Sequence, residues 1–160
     1  MRDILFRGKR TDTGEWVQGD LVHGIGKNRG RMFIWSEVDY IPTGIDEFEV
    51  IPETVGQCVG EVFLADTRWS RTMIFEGDVL EVLLVDIPEK AVDYREPMEL
   101  VTRRGVVRYH EDLNEFRLRI YKNGEYHMRI QLWSFGLKKL KVIGNVYDNP
   151  ELLHLKGESK

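Results

Sequence analysis

The chain of 160 residues has a formal charge of −4, with 42% hydrophobic and 31% charged residues, a composition typical of a globular protein of one domain or two small ones. Its longest apolar run, Val79–Val85, is far shorter than the ~20 residues that span a bilayer, and no apolar signal segment follows Met1. The single cysteine, Cys58, excludes an internal disulfide framework and is typical of a reducing compartment. We therefore expect a protein of the bacterial cytoplasm with no membrane partner.

Charge is unevenly distributed along the sequence. Residues 33–101 carry 16 acidic and 4 basic side chains, a balance of −12, whereas residues 103–141 carry 10 basic and 4 acidic side chains, a balance of +6. Segregation on this scale indicates that the two segments face each other or that one faces a charged partner. Because opposite charges can be satisfied between copies as well as within one, we predict a homo-oligomer.

The first part of the chain contains short extended segments. Strands are predicted at 4–6, 16–22, 31–35 and 48–51, and the turn at 11–14 joins the first two as a hairpin. The glycine-rich stretch 24–30 contains Gly26-Lys27, but no Ser or Thr follows the lysine and no helix pattern opens. We interpret it as a hairpin loop and not as a phosphate-binding loop. A single helical turn is predicted at 52–54, an extended segment at 57–64 and an exposed excursion at 66–71.

The stretch Glu76-Gly77-Asp78 marks a tight turn before the strand Val79–Val85. Glycine accepts the positive φ that such a turn needs, and the Asp78 carboxylate can bind the turn backbone. This turn divides the chain into a small N-terminal α+β subdomain, residues 1–73, and a C-terminal β subdomain, residues 74–155. The fold class predicted for the whole chain is mainly β.

The C-terminal subdomain is predicted to be an antiparallel meander that forms a half-open, SH3-like barrel. Residues 86–100 hold two prolines and seven charged residues, and we expect an exposed loop there. Strands follow at 105–110, 116–121, 126–133 and 139–146. Asn149 is expected to cap a short C-terminal helix that begins at Pro150, and residues 156–160 are expected to fray.

The hairpin at 116–133 can be predicted to the level of register. A two-residue Asn123-Gly124 turn would place Ile120 opposite His127 and spoil an apolar face. A three-residue loop, 122–124, with Gly124 in a bulge keeps that face intact, and we predict this loop. The apolar pairs would then be Ile120 with Tyr126, Leu118 with Met128, and Phe116 with Ile130.

In this register the outward face is basic. Arg117 would lie opposite Arg129 and Arg119 opposite His127, with Trp133 on the same face, and these five residues form the candidate binding surface. Like charges directly across a strand pair are destabilising, so a compensating group is expected. It is either an acidic residue from the 33–101 region or an anionic partner.

No nucleophile elbow, phosphate loop or metal motif is present in the sequence, and its four histidines lack paired ligand spacing. We therefore assign no catalytic, cofactor-binding or metal residues and expect no cofactor. Six polar or glycine positions could be structural or could line a pocket, and cap and turn roles are favoured for them. They are Glu53, Thr54, Gln57, Glu76, Gly77 and Asp78.

Several blocks occur in order along the chain: Phe6-Arg7-Gly8, Trp16 with Gly19-Asp20-Leu21, Glu53-Thr54-Val55-Gly56-Gln57, Phe75-Glu76-Gly77-Asp78-Val79, Gly105-Val106-Val107 and Val142-Ile143-Gly144-Asn145-Val146-Tyr147-Asp148-Asn149-Pro150-Glu151-Leu152. Together they resemble the YopX family of phage and prophage proteins over essentially the whole chain. Residues 59–73 depart from the usual family pattern. The resemblance implies a phage or prophage gene, an N-terminal α+β part and a mostly antiparallel C-terminal β part. The family has no established biochemical activity to transfer.

Two functions of different classes follow from these observations. The first is a non-catalytic, oligomeric accessory protein that binds a phage or host protein. The second is a nucleic-acid-binding module that uses the basic, aromatic-interleaved C-terminal sheet. The sequence pI near 5.6 and the acidic middle of the chain favour the first.

Overall fold

The computed structural model describes residues 4–37, 44–63, 71–86, 99–122, 125–132 and 140–153. These residues form eleven β-strands and three short 3₁₀ turns. The strands are β1 Phe6–Lys9, β2 Trp16–His23, β3 Met32–Glu37, β4 Ile45–Val50, β5 Gly56–Phe63, β6 Arg71–Phe75, β7 Asp78–Asp86, β8 Glu99–His110, β9 Glu115–Lys122, β10 Glu125–Gln131 and β11 Leu140–Asn145. The 3₁₀ turns are Gly26–Asn28, Pro52–Thr54 and Pro150–Leu153.

The mainly-β class predicted from the sequence is confirmed. The helical turn predicted at 52–54 is confirmed as the 3₁₀ turn Pro52–Thr54. No α-helix occurs among the described residues, so the α part predicted for the N-terminal subdomain is wrong there. The expected C-terminal helix is one of these turns, only four residues long. By compactness the chain divides into residues 1–60 and 61–160, so the first unit ends earlier than the boundary predicted at residue 73.

The first sheet has the strand order β4-β3-β2-β1-β5-β6. The predicted N-terminal hairpin is confirmed, with Lys9 opposite Trp16. The glycine-rich stretch is the connection between β2 and β3 and contains one 3₁₀ turn, as expected of a hairpin loop. The end of β4 also contacts β1. The backbone N–H of Ile51, the residue after β4, donates to the carbonyl of Lys9 at 2.8 Å. Ile34 and Val50 are fully buried in this unit.

The second sheet has the strand order β10-β9-β8-β7-β11 and is antiparallel throughout. Strands β7 to β10 form an antiparallel meander. The fourth strand of the predicted meander, β11, does not follow β10 in the sheet but pairs with the free side of β7, so that part of the prediction is wrong. The sheet is open, with edge strands β10 and β11, and is not a closed barrel. One face is apolar and buried, and it carries Leu80, Val82, Val107, Leu118 and Ile120.

Strands β7 and β8 are longer than predicted. Their pairing extends to Asp86 opposite Glu99, so both ends of the predicted 86–100 loop are strand. Ladder pairing between the two strands outweighs the irregular composition of these ends. The rest of that loop, 87–98, lies outside the described residues. Strand β6 was not predicted, and its Ile74 and Phe75 are buried.

The β9–β10 hairpin keeps Met128 and Ile130 on the predicted apolar face, but the three predicted apolar pairs are wrong and Tyr126 lies on the opposite face, across from Tyr121. Glu125 lies opposite Lys122, so the connection is two residues long and the predicted three-residue loop is wrong. The extra residue lies within β10, where the register shifts between Tyr126 and Met128. Because this bulge adds one residue to one strand, Met128 lies opposite Ile120 and the apolar side chains return to a common face.

The closing turn after β11 is built around the side chain of Asn145. Its Oδ1 accepts hydrogen bonds from the backbone N–H groups of Tyr147 at 3.0 Å and Asp148 at 2.9 Å. Its Nδ2 donates to the Asp148 carboxylate at 2.9 Å. The predicted cap residue, Asn149, instead turns its side-chain oxygen back toward the N–H of Asn145 at 3.4 Å. The closing block of the sequence is therefore a hydrogen-bonded turn.

Candidate binding surface

The Glu76-Gly77-Asp78 turn anchors three strands of the second unit. Gly77 has φ 87°, which confirms the predicted positive φ. Its N–H donates to the carbonyl of Val107 and its carbonyl accepts from Val146, both at 2.9 Å. The buried Asp78 carboxylate accepts from the N–H of Phe75 at 2.8 Å, as expected of a turn residue.

Glu76, the third residue of this turn, also contacts a strand. Its carboxylate accepts a hydrogen bond from the backbone N–H of Tyr109 on β8 at 3.3 Å. These contacts join the turn to β8 and to the end of β11. The three residues therefore have structural roles.

Of the predicted group Glu53, Thr54 and Gln57, Thr54 has a structural role. The buried Thr54 hydroxyl accepts from the N–H of Lys9 at 2.9 Å and donates to the carbonyl of Ile51 at 2.7 Å. Gln57 lies opposite Phe6 in the β1–β5 ladder, and Glu53 is exposed. Thr54 thus joins β1 to the 3₁₀ turn, which agrees with the cap interpretation.

Five arginines lie on the face of the second sheet opposite the buried apolar face. One of them, Arg104 on β8, lies opposite Glu81 and forms an ion pair with it, and the other four are grouped on β8, β9 and β10. Arg108 on β8 lies opposite Arg117 on β9, and Arg119 on β9 lies opposite Arg129 on β10. Cross-strand partners project to the same side of a sheet, and residues two apart on one strand do so as well. Arg108, Arg117, Arg119 and Arg129 therefore form one surface, here called the basic face. The predicted pairing of Arg117 with Arg129 is wrong, because the bulge in β10 moves Arg129 opposite Arg119.

Two of the four guanidinium groups have carboxylate partners. Arg117 forms an ion pair with Glu115, two residues earlier on the same strand. Arg129 donates to the Asp112 carboxylate at 2.9 Å. The acidic neighbours in the described structure thus come from the β8–β9 connection and the start of β9. For Arg117 and Arg129 the acidic partners do not come from residues 33–101, whereas Arg104 on the same face has Glu81 of that region as its partner.

The other two arginines have no carboxylate partner among the described residues. Arg119 has a buried Nε without a hydrogen-bond acceptor, and its guanidinium lies 5.5 Å from the centre of the Tyr126 ring. Four guanidinium groups against two carboxylates leave a local excess of two positive charges. An arrangement of this kind attracts anions and presents planar donors to them.

His110 belongs to the same cluster and was not predicted. It lies two residues beyond Arg108 on β8, and its side chain is only 7% exposed. Burial lowers the pKa of His110, and the positive charges of Arg119 and Arg129 lower it further, against a smaller opposing effect of Asp112. Its Nδ1 lies 3.3 Å from Nη1 of Arg129. A guanidinium can only donate, so Nδ1 accepts and the imidazole is neutral.

The sequence does contain a signal for His110. Arg108 and His110 occupy alternate positions on one strand, and so do Arg117 and Arg119. This alternation identifies a shared face only when the full length of β8 and its pairing with β9 are known.

The other two residues of the predicted surface do not join the cluster. His127 is the extra residue of the β10 bulge and is exposed, so its predicted position opposite Arg119 is wrong. Trp133 lies outside the described residues. The aromatic side chain beside the arginines is that of Tyr126, which is 55% exposed.

This surface combines three kinds of side chain. It offers fixed cations, a neutral histidine and an exposed aromatic ring. In the part of the chain that the structure describes, no group of His, Cys, Asp and Glu is placed to hold a metal ion. No helix among the described residues has the length and apolar character needed to cross a membrane.

Comparison with known families settles the relationship of the chain. The family model described as YopX protein matches residues 5–154. The chain belongs to the YopX family. No curated protein and no solved structure matches it.

The YopX match covers both sheets and the closing turn, so the resemblance seen in the sequence blocks is confirmed. Two of those blocks have a structural explanation, since Gly77 and Asn145 each stand at the centre of a hydrogen-bonded turn. The basic face lies on the strands between these two YopX blocks.

Proposed function

We propose that this YopX-family chain is a non-catalytic binding module of phage or prophage origin. It acts as a homo-oligomer in the bacterial cytoplasm and binds a phage or host protein through the basic face. The observation that carries the proposal is the pair of arginines, Arg108 and Arg119, that have no carboxylate partner among the described residues, beside two that have one. Charges arranged in this way are suited to a carboxylate supplied by another molecule.

The surroundings of the arginines favour a protein partner. Tyr126 is exposed on β10, on the same face as Arg129. Arginine and tyrosine are among the residues that protein interfaces enrich, because they combine large contact area with directed hydrogen bonds. An acidic protein surface would meet both kinds of group at once.

A second candidate function rests on the contact between Arg119 and Tyr126. A cation beside an exposed ring is also how single-stranded nucleic acid is bound, with phosphate on the cation and a base on the ring. The chain has a net charge of −4, which opposes a long polyanion more than a short acidic patch. We therefore rank nucleic acid second.

Fluorescence anisotropy with two labelled probes tests the proposal. The probes are poly-glutamate and oligo-deoxythymidine, titrated at salt concentrations from about 50 to 300 mM. We expect poly-glutamate to bind and oligo-deoxythymidine to compete weakly or not at all. Tight oligonucleotide binding with a steep salt slope would support the second candidate. Absence of binding by both probes at low salt would contradict any anion-binding role for this face.

A further inference from the structure

Strand β10 is an edge of the second sheet. It pairs with β9 on one side, and among the described residues no strand pairs with its other side. An edge strand presents a row of backbone N–H and C=O groups that can accept another strand. Its seven residues are mostly exposed. Within the part of the chain that the structure describes, the β10 edge is therefore open to an extended chain.

The two faces of the sheet differ in chemistry at this edge. On the basic face, Arg129 lies beside Arg119. On the other face, Met128 lies opposite Ile120 and Ile130 opposite Leu118, so the apolar surface of the core continues to the edge. Met128 is 40% exposed there, although Ile120 and Leu118 are buried. The edge thus has a cationic side and an apolar side.

We propose that β10 accepts an extended segment of the protein partner in which acidic and apolar residues alternate. Successive side chains of a strand point to opposite faces. In the added strand, the side chains on one face would place carboxylates beside Arg119 and Arg129. The side chains on the other face would cover Met128 and Ile130. Backbone hydrogen bonds to the edge would supply affinity, and the alternation would supply specificity. This inference rests on the proposed function and names the form of its partner.

A second copy of β10 does not fit this edge as well. Antiparallel pairing of two β10 strands would extend the basic face of one copy into that of the other. Arginines would then lie near arginines across the new interface, which is unfavourable. Glu125 is the only acidic residue of β10. Charge complementarity therefore favours a segment that is acidic where β10 is basic.

Three synthetic peptides of about eight residues, the length of a short strand, test the proposal. The first alternates Glu and Val, and the second has the same composition with the glutamates and valines in separate blocks. The third is the alternating peptide with N-methyl groups on every second residue. It is prepared in two versions, or phases, one methylated at the odd positions and one at the even positions. We expect the alternating peptide to bind roughly tenfold more tightly than the blocked one. One phase of methylation should abolish binding and the other should spare it, because only alternate N–H groups of an added strand face the edge.

Two variants complete the test. Met128→Ser should weaken the alternating peptide and leave poly-glutamate binding unchanged, whereas Arg119→Gln should weaken both. Met128 is partly exposed, so the variant is expected to fold, and a thermal melt checks this.

The outcomes separate this inference from the proposed function. Equal binding of the alternating and blocked peptides, with poly-glutamate still bound, would overturn strand addition and leave the proposed function intact. Failure of every acidic probe would overturn both. A change of oligomeric mass in Met128→Ser, with no peptide bound by the parent chain, would assign the edge to a second copy and overturn the inference.

Discussion

At the scale of single residues, Gly77 shows how a local requirement and a tertiary contact coincide. Its φ of 87° is strained for any residue with a side chain, and an added Cβ would lie 3.0 Å from Cε2 of Tyr147. Gly14 has a similar φ of 73°, but nothing lies within 4 Å of an added Cβ there. Comparing the two glycines therefore distinguishes the cost of backbone strain from the cost of crowding by Tyr147.

We predict that Gly77→Ala lowers the free energy of unfolding by more than the ~1 kcal/mol typical of strain at a positive φ. Gly14→Ala should show only the cost of backbone strain and should lower the free energy of unfolding by less. Urea unfolding of both variants provides the measurement. Equal losses would mean that Tyr147 moves aside without cost.

His110 links stability to pH. Its pKa is lowered in the folded protein, mainly by burial and then by Arg119 and Arg129, from an ordinary value of 6.5. Below pH 6.5 the unfolded chain therefore binds a proton at this position while the folded protein does not. Protonation of the unfolded state then draws the equilibrium toward unfolding, so stability falls as the pH drops.

We predict that His110→Asn flattens the dependence of unfolding free energy on pH below pH 6.5. Unfolding in urea at a series of pH values measures the slope. His127→Asn, at the exposed bulge of β10, controls for the loss of an imidazole elsewhere in the hairpin. A slope that is unchanged in His110→Asn would assign the pH dependence to other groups.

At the scale of strands, the β9–β10 hairpin shows where sequence reasoning succeeds and where it ends. The alternation of Leu118 and Ile120 with arginines defines a buried and a basic face, and both are found. The need to keep this apolar face intact does not determine where in the hairpin the extra, bulged residue lies. A bulge in the turn and a bulge at His127 both keep the face, and the sequence prediction chose the first.

That choice has consequences for the candidate site. Moving the bulge into β10 changes which cations are neighbours and places Tyr126 beside Arg119. The turn at Gly77 was predictable because its requirement is local. Cross-strand neighbours depend on register, and register on a single bulge, so the details of the basic face required the structure.

Arg119 tests whether the basic face is maintained at a cost to stability. It lies opposite Arg129 and has a buried Nε that finds no acceptor among the described residues. We predict that Arg119→Gln raises the free energy of unfolding by a few tenths to about 1 kcal/mol, because it removes a like-charge pair and a poorly satisfied donor. The gain should be larger at low salt.

Arg117→Gln is the matched control on the same strand, because it breaks the ion pair with Glu115. It should lower stability by roughly 0.2–1 kcal/mol. Thermal or urea unfolding of the two variants at two salt concentrations distinguishes them. A loss of stability in Arg119→Gln equal to that in Arg117→Gln would indicate a structural role for Arg119.

At the scale of the whole molecule, the segregation of charge bears on assembly. Residues 33–101 have a balance of −12 and residues 103–141 a balance of +6. We predict that the protein is a homo-oligomer at roughly tens of micromolar and that its mass falls as salt is added. Light scattering at low and high salt measures both. A monomer at every concentration and salt level would contradict this prediction.

The most direct test of the central claim, that the basic face is the binding surface, compares two double charge reversals. Arg108→Glu with Arg119→Glu reverses the two arginines that have no carboxylate partner in the described structure, and so breaks no ion pair. Lys27→Glu with Arg29→Glu makes the same change of charge in the exposed β2–β3 loop. The measurement is the affinity for labelled poly-glutamate at low salt. The first variant should lose at least roughly tenfold in affinity and the second should stay close to the parent chain. Equal losses in the two variants would show that binding follows net charge alone, and would contradict a dedicated surface on β8, β9 and β10.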